Sequence, residues 1–445
     1  MNEISDRGRV VRALEGFEPA STTQVTAERL CERLLKLPCA DFVLISALDE
    51  DGIGMPLASA GVLTFGLVGT HLDPVRAERL RDRAARGLWT ESATEWLEPW
   101  LPIDFMARQP AVAQAPLMWE DHLVGLLSVG WHESDGEDAD RRASTIQEAS
   151  MMVAALIGQA LSQESAARRR RERIDIIIRN KRFYPVYQPI VDLATEKIVG
   201  FEALSRFEDG GRPDLWFQEA AEAGRGIELE VATLTAAVRE SGDLPSDCYL
   251  SLNLSADVAS SVDILGRVLT RIPRAVLLEI TEHVPVEDYE RMMANLYALD
   301  IQIRLAVDDA GAGYSGLQHI LAIRPHVVKL DAALVRFVDV DVARQAIVGA
   351  MVSFAAKTGC KIVAEGVETA SEVATLRSLG VGLAQGYFYG RPRRAEEWRA
   401  PAAVESVAPT PAISVIAATP VKGAGSSAKP RAAKAGDAGP SVPSC

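Results

Sequence analysis

Paired cysteines, zinc-type histidine spacings and long apolar runs are all missing from this chain of 445 residues. The five cysteines, Cys31, Cys39, Cys248, Cys360 and Cys445, are scattered with no CxxC pair. They read as reduced thiols and exclude a disulfide framework. The six histidines include no HExxH spacing, which removes the commonest zinc-hydrolase signature. No window holds ~18 uncharged apolar residues, so no membrane-spanning helix is expected. The opening MNEISDRGRVVRALEGFEP lacks the apolar centre of a signal peptide, and a cytoplasmic location follows as the expectation. Basic charge is also short: 47 Lys and Arg face 61 Asp and Glu, a formal net charge of −14. That balance argues against nucleic acid or an anionic membrane as partner. A small anion stays admissible, because a bound divalent cation reverses the local field.

What is present divides the chain into five stretches. Residues 1–20 are polar and expected to be flexible. Residues 21–143 read as an α+β domain. Its opening helix carries Val25, Leu30, Leu34, Leu35 and Leu37 on one face, followed by a strand at Phe42–Leu48. Apolar runs at 58–68 and 113–117 come next, and Leu123–Trp131 follows the short acidic turn Trp119-Glu-Asp-His122, a hairpin signal. Residues 144–180 predict one long linking helix with Ile146, Met151, Val153, Leu156, Ile157 and Leu161 as its apolar face and Gly158 as its only glycine. Its basic run, Arg168–Arg171 with Arg173, is read as a solvated face. Residues 181–400 carry the chemistry. The Ala-, Pro-, Ser- and Gly-rich residues 401–445 cannot bury enough apolar surface to offset chain entropy, and are expected to be disordered.

Between residues 186 and 385 one device recurs: a short apolar run closed by a polar residue. The closing residues are Gln188, Glu202, Asn253, Glu279, Asp308, Lys329, Glu365 and Gln385. Eight such runs in about 200 residues, most separated by helical segments such as 287–299 and 342–358, are the arithmetic of a (β/α)8 barrel. In that fold the strand ends gather at one mouth. Taken singly, a strand-end glutamate is as readily a salt-bridge partner and an asparagine more often a turn residue. Carboxylates with an amide oxygen are hard donors that suit Mg²⁺ or Mn²⁺. The adjacent Asp308 and Asp309 can bridge two ions, the arrangement used against phosphodiesters, and Lys329 can stabilise phosphoryl charge.

The ordered set YQPIVD, EALSR, SLNLS, LEITE, DDAGAGYSGL, VKLD, VAEGVE and AQGYFYGRP resembles the EAL-domain cyclic di-GMP phosphodiesterases along the whole of residues 181–400. The resemblance implies a metal-dependent hydrolysis of cyclic di-GMP to linear pGpG, with two Mg²⁺ or Mn²⁺ ions. It implies metal ligands at Glu202, Asn253, Glu279, Asp308 and Asp309. Glu365 would be a metal ligand or the general base, and Lys329 would stand beside the water and the scissile phosphate. Gln188 and Arg206 would contact the dinucleotide, Gln385 would hold the water and metal network, and Glu282 would brace the loop after Asp309. Glu368 is read as structural. Family members often read DDFGTGYSSL, so Ala310 and Ala312 remove an apolar anchor and a hydroxyl while both acids stay. The phrase APLMWEDHLVGLLSVGW resembles a GAF domain, which implies a sensor at residues 21–143 taking an unknown small-molecule or protein input. A homodimer is expected. A weakly catalytic cyclic di-GMP receptor or a protein-interaction regulator is the alternative.

Overall fold

The computed structural model describes residues 7–49, 54–62, 67–92, 110–132, 139–269, 272–280, 303–310, 320–321 and 324–399. The expected helix at 287–299, the glycine turn after Asp309, Glu282 and the tail at 401–445 lie outside the described residues.

The front region is an antiparallel sheet of five strands, β1 (Phe42–Leu48), β2 (Gly54–Gly61), β3 (Trp89–Ser92), β4 (Ala111–Trp119) and β5 (His122–Trp131), in the order β2-β1-β5-β4-β3. Both faces are covered, which is why β1 and β5 read as continuous apolar runs. On one face Val43, Ile45 and Val129 pack against Leu30, Cys31 and Leu34 of a helix at Thr23–Leu34 and against Ile146 and Val153. On the other, Leu48 and Leu126 meet Ala77 and Leu80 of a helix at Pro74–Ala84. The β4–β5 hairpin turns on Glu120 and Asp121 at φ 47° and 66°, the pair of left-handed residues that a type I′ turn demands.

Several expectations change. The described part of the N-terminal stretch, from residue 7, is not loose: Arg7–Ala13 is helical, and Val10 and Leu14 are buried in the front core. Val25 faces outward because the helix is rotated so that Ala27 and Cys31 meet the sheet. The second strand lies at Gly54–Gly61 rather than 58–68, and Trp89–Ser92 pairs with β4 although WTES carries no apolar run.

A single helix of 42 residues, Ala139–Asn180, joins the two regions. Its first half lays Ile146, Ala149, Val153, Ile157 and Leu161 on the front sheet, while Met151 points to solvent. Its last turns bury Ile174 and Ile177 against Phe183, Phe207 and Leu229. Gly158 permits the close approach to the hairpin, since a Cβ there would stand 3.0 Å from the Trp119 ring. The basic run is largely paired: Arg168 with Asp49, Arg170 with Glu222 at 3.0 Å and Arg173 with Glu219 at 3.3 Å.

The second region is a closed barrel of β6 (Phe183–Asp192), β7 (Ile198–Phe207), β8 (Tyr249–Leu254), β9 (Val276–Ile280), β10 (Ile303–Ala310), β11 (Val327–Leu330), β12 (Lys361–Ala364) and β13 (Leu383–Gln385). It departs from eight repeated βα units in one respect. Strand β6 runs antiparallel to both β7 and β13, whereas the other neighbours are parallel. The reason is local. Only residues 193–197 separate β6 from β7, far too few for a parallel crossover. Asp192 fixes the reversal by accepting from the backbone N–H groups of Ala194 and Thr195 at 3.0 and 2.8 Å. Gln188 therefore sits within a downward strand rather than at the end of an upward one.

Candidate functional site

Alternation along each strand decides which side chains enter the barrel. On β7 through β11 it turns Glu202, Asn253, Glu279, Asp308 and Lys329 toward one mouth; Glu365 follows β12 and Gln385 ends β13. The antiparallel β6 delivers Gln188, paired in register with Glu202.

The centre of this mouth is the ammonium of Lys329, which is 1 % exposed. Its Nζ lies 2.5 Å from Glu279 Oε2, 2.6 Å from Glu365 Oε1, 3.2 Å from Asp308 Oδ1 and 3.6 Å from Glu202 Oε2. Neutral donors complete the net. Asn253 Nδ2 donates to Glu202 Oε1 at 2.9 Å, and Gln385 Nε2 donates to Glu202 Oε2 at 2.5 Å and Gln188 Oε1 at 3.0 Å. Ser251 Oγ donates to Glu279 Oε1 at 2.5 Å. Ser251, two residues before Asn253 on the same inward face, was missed in the sequence because a serine inside an apolar run reads as filler.

Four carboxylates around one cation leave buried negative charge in excess, and the protonation equilibria divide accordingly. Burial alone would raise Glu202, but Lys329 and the amides of Asn253 and Gln385 outweigh it and hold this carboxyl below the ordinary range. Burial and the neighbouring Glu202 push Glu279 well up in spite of Lys329. Glu365 is raised by burial, and then by Asp308 and Glu202 against the pull of Lys329, to about 7. Burial works against the charge on Lys329, yet the four surrounding carboxylates keep it firmly protonated.

The donor set is chemically suited to a hard divalent cation: every anionic atom is oxygen, and the charge excess calls for more positive charge than one ammonium brings. Gln385 Oε1 is buried without a hydrogen-bond partner, and Asp308 Oδ1 has the ion pair with Lys329 but no hydrogen bond, which leaves acceptor capacity at the centre. Among the described residues the carboxylates turn to the ammonium, and no three acids or histidines are disposed as a ready cation cage. Side-chain positions for Asp309 and Glu282 lie outside the described residues.

Above the cluster opens a cavity of about 300 Å³. Besides the residues already named, Arg336, Glu368 and Tyr387 line it. Glu368, read from sequence as structural, pairs with Arg336 at 2.5 Å on this rim, and Arg391 stacks 4.2 Å from the Tyr387 ring. Tyr387 stands within the AQGYFYGRP phrase, whereas nothing in the sequence marked Arg336. Arg206 is not brought to the centre. It lies four residues beyond Glu202 on β7, about 13 Å along the strand, and donates to the Ser205 carbonyl at 2.7 Å.

A family model described as EAL domain matches residues 167–392, half of the chain. An uncharacterized protein of Azorhizobium caulinodans is 33% identical over 225 residues, 46% of this chain and 30% of that protein. A probable cyclic di-GMP phosphodiesterase of Escherichia coli, PdeG, is 28% identical over 230 residues, 48% of this chain and 45% of that protein. The chain thus spans less than half the length of either relative. Among solved structures, an EAL domain protein from Listeria monocytogenes matches with a TM-score of 0.45 and 27% identity, covering 49% of this chain and 92% of that one.

Proposed function

The chain belongs to the EAL domain family, and from that premise we propose that its barrel hydrolyses one phosphodiester of cyclic di-GMP to give linear pGpG. The observation that carries this reading is the convergence of Glu202, Glu279, Asp308 and Glu365 on Lys329 beneath an open cavity. Such a constellation suits a dianionic substrate only with added cations. Glu202, Asn253, Glu279, Asp308, Asp309 and Glu365 would hold them, and two Mg²⁺ or Mn²⁺ ions, when bound, supply electrophilic stabilisation of the phosphoryl oxygens.

The chain's own groups take the remaining tasks. Lys329, kept charged by its surroundings, faces the non-bridging oxygens of the phosphate and stabilises charge that builds there. Glu365, with its carboxyl near neutrality, is suited to receive the proton of the attacking water, or to serve as a ligand when deprotonated. Gln385 and Asn253 fix the Glu202 carboxylate through its two oxygens. Gln188 and Arg206 contact the dinucleotide, the arginine by its fit to phosphate, and Glu282 braces the loop after Asp309.

We also assign residues 21–143 as a GAF-like sensor, 144–180 as the linking helix and 181–400 as the catalytic domain, working as a homodimer. The helix Ala139–Asn180 supports this division, since one rigid element contacts both cores. A second reading, a receptor that binds cyclic di-GMP without cleaving it, draws on the Lys329 ammonium already neutralising part of the cluster. Incubation of the full chain with cyclic di-GMP and Mn²⁺, followed by chromatography, separates them. Accumulation of pGpG is the expected result. Bound but uncleaved dinucleotide would sink hydrolysis in favour of the receptor.

A further inference from the structure

The same strands that bring acids to one mouth bring cations to the other. Counting back by the strand period from Asp308 gives Ala306 and then Arg304, and from Glu365 gives Val363 and then Lys361. Both cations stand at the opposite end of the barrel, exposed, lining a second cavity of about 300 Å³. Leu277, Ala306, Val327, Val363 and Leu383 form the apolar layer that separates this cavity from the acidic cluster.

Three features make it a built pocket rather than a gap. Val276, Leu277, Val327 and Leu383 give it an apolar wall. The Tyr249 ring enters it through a notch left by its register partner Gly200, where a Cβ would lie 2.4 Å from the ring. The Tyr249 hydroxyl is buried and has no hydrogen-bond partner, and burial, with Glu279 next in weight, keeps it protonated as a donor. Neither Arg304 nor Lys361 makes a salt bridge among the described residues, although Lys361 lies near enough to Asp192 to help the Thr195 N–H hold its carboxyl down. Two acids also line the space. Asp192 is committed to the β6–β7 turn, where one oxygen accepts three hydrogen bonds, and Asp247 lies exposed at the rim.

We propose that this cavity binds a small organic anion, its carboxylate or phosphate head on Arg304 and Lys361 and its apolar body against Leu277, Leu383 and the Tyr249 ring. The volume suits a molecule far smaller than a dinucleotide, near the lower limit of ligand pockets. The site is separate from the acidic mouth and independent of the hydrolysis reading.

Benzoate, a carboxylate on an apolar body, is the probe, titrated into the full-length protein by ligand-observed NMR and calorimetry. Saturable binding with Kd of about 1 mM or tighter is expected, with benzamide, its uncharged counterpart, at least about tenfold weaker. The double substitution Arg304→Gln, Lys361→Gln should weaken benzoate at least about tenfold, while Glu202→Gln leaves it unchanged. Should the double variant fail to fold by circular dichroism, Lys361→Met alone, at an exposed strand start, takes its place with an expected loss of about threefold. Displacement of benzoate by inorganic phosphate assigns a phosphate head, and resistance to it a carboxylate head. Absence of saturation, equal affinity for benzamide, or undiminished binding by the cation variants would overturn the proposal.

Discussion

The two ends of the barrel share strands but solve the problem of charge in different ways. At one mouth Glu202, Glu279, Asp308 and Glu365 close around a lysine that is 1 % exposed, so the buried ammonium is answered within the protein with negative charge left over. At the other, Arg304 and Lys361 stay in water and need no internal partner. The difference follows from depth. A buried carboxylate without a counter-charge costs several kcal/mol, while an exposed cation costs almost nothing. Charge buried in a barrel must be paired, and the pairing surplus marks where an outside cation is wanted; charge at an open end is free to meet a ligand.

The strongest way to break that contrast is to remove one member from each end. Glu279→Gln should lower cyclic di-GMP hydrolysis at least about a thousandfold, whereas Arg304→Gln with Lys361→Gln should leave it within about twofold. Comparable losses at both ends, read by product chromatography, would erase the distinction between mouth and floor.

Stability provides the next test. Lys329→Met strips the central ammonium from four converging carboxylates and should destabilise the chelator-treated protein by about 3–5 kcal/mol in denaturant unfolding, with recovery on adding Mn²⁺. Lys361→Met, on the exposed side, should shift stability by less than about 0.5 kcal/mol. An equal cost for the two lysines would mean that depth does not govern them.

A pH series sharpens the comparison further. In metal-free protein Glu365 titrates near 7, against about 4.5 in an unconstrained carboxyl. Between those values the folded state holds a proton that the unfolded chain has released, so stability falls as pH rises and levels off above about 7. The slope contributed by this group is at most about 1.4 kcal/mol per pH unit, and Glu365→Gln should remove it. The smallest effect belongs to packing outside the barrel. Gly158→Ala forces a methyl against Trp119 and should cost about 1 kcal/mol. Gly349→Ala, in the helix Val342–Thr358 with open space around it, should gain about 1 kcal/mol, both by thermal unfolding.

Much of the acidic mouth was open to inspection in the chain itself because its signal is local. Each donor closes a short apolar run, and strand parity then fixes the face on which Glu202, Asn253 or Asp308 must stand. The hairpin at Glu120 and Asp121 could be read for the same reason. Residues that belong to no local pattern failed to announce themselves: Ser251 inside SLNLS, Arg336 beyond a strand end, and the strand Trp89–Ser92, whose register comes from β4 and not from its own composition. The reversal of β6 lay within reach, since five residues cannot carry a parallel crossover, but counting runs as repeats concealed it.

By itself the order of amino acids determined which side chains share a strand face, where runs stop and which chemistry their oxygens favour, because these depend on neighbours a few residues apart. Tertiary structure alone decided that Lys329 is the hub of four carboxylates, three from other strands and one from the residue after β12, and that Arg304, Lys361 and Tyr249 gather around one cavity. Barrel closure sets those distances, and closure depends on hydrogen bonds between strands up to about 200 residues apart, as at β6 and β13, which no local pattern encodes.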